Sequence, residues 1–214
     1  MEAFIRNDQY NLIKRQAKNL VNGHAAAQHE GVLRALKAMA EENVTEVFIE
    51  LNEEQRQLLS PITTVENKEQ AEKFLSSLKP YVIPFKKITE QSLKKLFPKA
   101  KKLKVPDLES IDLKETSYLG WHDKGSNKKY LVTYFDENLI GVQGTFTSAN
   151  QKGICALCNG YEEIGMFIAE VKGKRTEKGT FTKRGNYICQ DSEKCNQNLT
   201  SLDKLQDFVE RLNK

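Results

Sequence analysis

Cysteine is scarce in this chain: there are four in 214 residues, and none before position 155. Long apolar runs are missing too. No stretch approaches the roughly 18 consecutive apolar residues of a membrane span, so no membrane crossing is expected. The first residues, MEAFIRNDQY, lack a basic region followed by an apolar run, so no signal peptide is expected in them. The expected compartment is therefore the cytoplasm, where thiols are kept reduced and disulfides are rare. An even cysteine number there points to metal before cross-links.

Catalytic motifs are equally absent. No glycine-rich phosphate loop leads from a strand into a helix; the G-V-Q-G at 141–144 precedes no helical pattern. There is no G-x-S-x-G and no H-E-x-x-H. The acid pairs Glu41-Glu42 and Glu53-Glu54 lie in an acidic helical stretch, where solvated faces and helix starts explain them. Internal repeats and low-complexity tracts are missing. The chain reads as a binding protein and not an enzyme.

What is present divides near residue 82. Residues 1–82 carry 10 Lys+Arg against 12 Asp+Glu, a net −2, and the remainder carries 23 against 17, a net +6. The basic part suggests an anionic partner: nucleic acid, a ribosomal surface or an acidic protein. The first part reads as three or four amphipathic helices. Residues 8–21 place Leu12, Ile13, Ala17, Leu20 and Val21 on one stripe, with Gly23 as a stop. Residues 25–40 give a second stripe through Val32, Leu33, Leu36 and Met39. Asn52 with Gln55, and Asn67 with Gln70, are capping signals, because a side-chain oxygen at the cap takes an orphan N–H and the Gln reaches back. Short connections favour a bundle.

Pro80, Pro84, Pro98 and Pro106 punctuate the next stretch, around one short helix capped by Thr89. From Tyr118 the pattern turns to strands. Residues 128–135 and 139–147 predict a hairpin, with Gly141 and Gly144 marking a bulge or a close backbone approach. Residues 165–173 and 179–189 predict a second, basic hairpin carrying Lys172, Lys174, Arg175, Lys178, Lys183 and Arg184. A last helix starts at a capping signal of Thr200 with Asp203, and its stripe is Leu202, Leu205, Phe208, Val209 and Leu212.

The four cysteines fall into two pairs, Cys155-x2-Cys158 and Cys189-x5-Cys195. A two-residue spacer lets a tight knuckle point both sulfurs at one ion, and Zn²⁺ prefers four soft ligands in a tetrahedron. The thirty residues between the pairs span the second hairpin. A knuckle, a hairpin, a second pair and a helix follow one another in the order of a treble-clef finger. Four thiolates close the coordination shell, so the zinc would be structural. Ordinary buried thiols and a redox-active C-x2-C are the competing readings. The histidines are poor ligands: His24 and His29 belong to the helical part, and His122 falls in an expected turn. The fold expected is α+β, a helical bundle over 1–82 followed by an α/β domain over 83–214 with a treble-clef-like four-cysteine zinc finger at 155–195 and a C-terminal helix.

With "GICALCNG" and "GNYICQDSEKCNQNL" as its most specific parts, the chain resembles the FusB-type fusidic-acid resistance proteins over essentially its whole length. The resemblance implies a protein that binds translation elongation factor G and promotes its release from the ribosome, including when fusidic acid has stalled it; a monomer is expected. It implies no drug-modifying activity. It also implies a factor-binding surface in the C-terminal domain, onto which Arg184, Tyr187 and Phe208 map. The knuckle holds Ala156 and Leu157, without the aromatic found there in some members. Phe208 also belongs to the helix stripe, Tyr187 alternates with Cys189 along a strand, and Arg184 belongs to a basic hairpin, so each has a plain structural reading beside it. The competing function is a zinc-finger nucleic-acid binder that sets the basic hairpin on rRNA or tRNA phosphates. It differs in lacking, here, the strand-borne aromatic pattern of an RNA-recognition sheet.

Overall fold

The structure, a computed structural model, describes residues 1–26, 29–100, 102–135, 137–172 and 181–213. Lys174, Arg175 and Lys178 of the basic hairpin lie outside them. The chain forms two units, Met1–Ile83 and Pro84–Lys214.

The first unit is helical: α1 (Asn7–Ala26), α2 (Glu30–Glu46), α3 (Glu53–Leu59) and α4 (Lys68–Leu78), with short 3-10 turns after α3 and α4. Its core gathers Ile13, Ala17 and Leu20 of α1, Ala40 and Val44 of α2, and Leu59, Ile62, Phe74 and Leu78. Its two ends are tied together, for Ile83 donates to the Ile5 carbonyl at 2.8 Å and Phe4 and Ile5 donate to the Tyr81 carbonyl. Asn52 forms the expected capping box with Gln55. Asn67 caps α4 by accepting from the Gln70 N–H, but the Gln70 side chain accepts from Glu66 instead of returning to Asn67.

Two expectations fail here. Gly23 does not stop α1, which runs on to Ala26. A Cβ at Gly23 would lie 2.5 Å from Leu36 Cδ1, so this glycine serves the packing of α1 on α2. The stripe expected on α2 is only half right: Leu36 packs against the core, but its outer members do not. Val32 and Met39 are 50% and 55% exposed, while α2 buries Ala40 and Val44. The small Ala40 is what a close α1–α2 approach admits.

The second unit begins with α5 (Glu90–Leu96), whose first turn is capped by Thr89 accepting from the Ser92 N–H. Then come β1 (Leu119–Asp123), β2 (Lys128–Phe135), β3 (Asn138–Ile154), β4 (Tyr161–Lys172) and β5 (Phe181–Cys189), and finally α6 (Ser192–Asn198) and α7 (Asp203–Asn213). The five strands make one antiparallel sheet in sequence order, in which β2–β3 and β4–β5 are the two expected hairpins. His122, expected in a turn, lies in β1 and pairs with Lys129. Both faces of the sheet are covered. Leu93 and Phe97 pack on Tyr130 and Val132 on one face, and α6 and α7 pack with Leu131, Phe146, Phe167 and Ile188 on the other. That explains why β2 reads as an unbroken β-branched and aromatic run.

The β2–β3 register is regular through Gly141 and Gly144. Gly144 marks a close approach: a Cβ there would stand 2.5 Å from the Ile168 carbonyl oxygen of β4. The bulge lies further on, between Ser148 and Gln151, and carries Asn150 at φ 52°. A bulge bends the strand, here just before the first cysteine pair. At the other end, α7 starts at Asp203, whose N–H is accepted by Ser201 Oγ and not by Thr200.

Candidate metal centre

Cys155 and Cys158 sit in the loop between β3 and β4. The loop closes on itself, with Cys155 N–H donating to the Gly160 carbonyl at 3.0 Å and Asn159 N–H to the Cys155 carbonyl at 2.9 Å. Asn159 takes φ 59°, a left-handed conformation that Asn tolerates better than most residues. The backbone so turned points Leu157 N–H at Cys155 Sγ and Gly160 N–H at Cys158 Sγ, each at 3.4 Å, and Cys189 N–H of β5 adds a bond to Cys155 Sγ at 3.3 Å.

The second pair bridges two elements. Cys189 ends β5, and Cys195 stands in α6, a short helix that no apolar period in the sequence announces. Asp191 caps α6 by accepting from the Glu193 and Lys194 N–H groups. The buried Asn196 ties α6 to the chain before β1. Its Oδ1 accepts from the Ser117 and Tyr118 N–H groups at 2.7 and 3.1 Å, and its Nδ2 donates to the Tyr118 carbonyl at 2.9 Å. Apart from its place next to a cysteine, nothing in the local pattern singles out Asn196.

All four Sγ atoms lie within 4.8 Å of one another, and all four cysteines are buried or nearly so. Two of the edges measure 3.8 Å (Cys155–Cys195) and 3.7 Å (Cys158–Cys189). A tetrahedron with Zn–S bonds of about 2.3 Å has edges of about 3.8 Å, so the sulfurs are spaced as a zinc ion requires. Electrostatics agrees. As bare thiols they cannot all ionise: the neighbouring sulfurs, Cys158 first, hold Cys155 below the ordinary thiol range, while Cys155 pushes Cys189 and Cys195 up. One thiolate thus suppresses ionisation of two others, and a divalent cation is what lets all four ionise together. The site holds one structural zinc, with its four ligands supplied by the knuckle, β5 and α6. Among the described residues no other group of three or more His, Cys, Asp or Glu side chains is placed to hold a metal ion. His122 stands apart, edge-on to Phe146 at 5.1 Å and pushed below the ordinary histidine range by burial.

The residues that map onto a partner surface separate. Arg184 is exposed on β5, and its Nη1 donates to the Arg211 carbonyl of α7 at 2.7 Å. With Gly185, Asn186, Phe208, Arg211 and Leu212 it lines a notch of about 300 Å³. Phe208 is only 6% exposed and packs on Phe167 with ring centroids 5.6 Å apart, inside the core beneath α7. Tyr187 is 41% exposed. Its carbonyl accepts from the Ala156 N–H of the knuckle at 2.9 Å, which locks the knuckle against the edge of β5. Among the described residues, no helix is long and apolar enough to cross a membrane.

These features match known proteins over nearly the whole chain. A family model described as elongation factor G-binding protein, N-terminal, matches residues 4–86, and one described as FBP C-terminal treble-clef zinc-finger matches residues 92–212. Among curated proteins none matches. Among solved structures, that of the fusidic acid resistance protein FusC superposes with a TM-score of 0.84 at 31% identity, over 98% of this chain and 97% of that one. With both family models matched in order, and a whole-length relative of that likeness, the chain belongs to the elongation factor G-binding protein family, whose C-terminal domain is a treble-clef zinc finger.

Proposed function

We propose that this protein binds translation elongation factor G in the cytoplasm, as a monomer, and promotes the factor's release from the ribosome, so protecting translation from fusidic acid. The observation that carries the reading is the match of both units, in order and at nearly full length, to a family of factor-binding proteins and to a fusidic acid resistance protein. The site chemistry supports binding over catalysis. Four thiolates fill a tetrahedral zinc shell and leave no position for water or substrate, so the metal builds a surface and performs no reaction. The drug is left intact, and protection comes from shifting the factor towards dissociation.

Ribosomes carrying elongation factor G stalled by fusidic acid provide the test. Added in stoichiometric amounts, the protein should move the factor from the ribosomal pellet to the supernatant, with the drug recovered unmodified. If the factor stays on the ribosome although the protein binds it free in solution, the release step is wrong and the binding step stands. If the protein instead binds the ribosome without the factor, and loses that binding steeply with salt, phosphate contact is the better account.

A further inference from the structure

Lys129 is the only Lys or Arg side chain that the described residues bury, at 1% exposed. It lies on β2, on the sheet face that carries the zinc, next to Leu131 of the same core. Its Nζ donates to the carbonyls of Cys189 and Gln190 at 3.0 and 2.7 Å, and sits 4.8 Å from the Phe146 ring centroid. Among the described residues it makes no ion pair with a carboxylate. A buried ammonium is costly unless an anion offsets it. Its two acceptors are the carbonyls of a zinc ligand, Cys189, and of the residue after it, which sets the ammonium beside the four-cysteine cluster.

A zinc ion with four thiolates carries a net charge of about −2. Here that charge is closed off from water, since all four cysteines are 8% exposed or less. The three N–H···S hydrogen bonds to Cys155 and Cys158 spread part of it, but the second pair lies nearest to Lys129's contacts. We infer that Lys129 is a positioning residue for the zinc centre: its ammonium offsets the buried negative charge of the metal–thiolate cluster and pins the Cys189–Gln190 backbone so that β5 and α6 present their two sulfurs together. This role does not depend on what the protein binds.

The test uses the full-length protein loaded with Zn²⁺ and titrated with a chromophoric chelator. Lys129→Met removes charge and donors, Lys129→Gln keeps a donor without charge, and Lys129→Arg keeps the charge. Val132→Ala, on the opposite face of β2, controls for loss of packing. Outer partners of metal ligands typically contribute 10–100-fold to metal affinity. Lys129→Met and Lys129→Gln should therefore lose zinc about 10–100-fold more readily, Lys129→Arg should stay within a few-fold of the parent, and Val132→Ala should hold zinc as the parent does even though it melts earlier. Should the Met and Gln variants fail to fold with zinc present while the Arg variant folds, the charge is likewise required. Parent-like zinc retention in Lys129→Met overturns the inference. So does failure of all three variants alike, because shape and not charge would then decide.

Discussion

Arg184 and Tyr187 leave the same strand on opposite faces of the sheet. The β4–β5 register runs without a break from Ile164–Cys189 to Lys172–Phe181, so residues three apart on β5 point in opposite directions. Arg184 lies on the α7 side, where it reaches the Arg211 carbonyl, and Tyr187 lies on the other. β5 is one of the two edge strands, so a partner that touches both residues must reach around that edge. If elongation factor G does so, Arg184→Ala and Tyr187→Ala should each weaken binding about thirtyfold, the cost of losing an anchor worth about 2 kcal/mol. Being on opposite faces, the two losses should add in the double variant to within about 0.5 kcal/mol. Titration calorimetry reads this directly, and parent-like binding by both single variants would remove the proposed surface.

Phe208 should behave differently. Its ring is in the core against Phe167, and Phe→Ala in a core costs about 3–5 kcal/mol of stability. Phe208→Ala should lower the melting temperature markedly, and any loss of factor binding should follow that unfolding. A variant that melts like the parent but no longer binds would show that the exposed rim of the ring, beside the Arg184 notch, is itself an anchor.

The zinc centre should bind one equivalent of metal and lose it in Cys189→Ser/Cys195→Ser, as elemental analysis would show. Protons compete with zinc for the thiolates, so affinity should fall as pH falls and rise as it rises. Four ligands should make the dependence steeper than one proton per metal. A chelator titration repeated across pH checks the slope, and a pH-independent affinity would contradict four-thiolate ligation.

Asn196→Ala should unfasten α6 from the start of β1. Its amide accepts from the Ser117 and Tyr118 N–H groups and donates to the Tyr118 and Ser192 carbonyls. Stranding a buried polar group costs about 1–3 kcal/mol, so a loss of about 2 kcal/mol or more is expected by denaturant unfolding. Because Cys195 is the neighbouring residue, zinc retention should fall with it. Unchanged stability would mean that water replaces the amide.

Local chemistry in the sequence was enough for several elements and for the metal ligands. The Asn52 box and the Thr89 cap depend on residues three apart, and β2 shows its double-sided burial as an apolar run. Cysteine is so rare in this chain that two spaced pairs pointed to one site. Other features depend on contacts between distant residues, which no local pattern records. Gly23 looks like a helix stop until Leu36 is seen filling the space of its missing Cβ. Val32 and Met39 look like core until the close approach of α1 selects Ala40 and Val44 instead. α6 is a polar heptapeptide stretch with no apolar period, held as a helix by Asp191 at its start and by Asn196 reaching residues 117 and 118. Lys129 reads as a surface cation in the sequence, one of 33 basic residues. Only the folded sheet, by carrying it beneath the second cysteine pair, makes it the charge beside the metal.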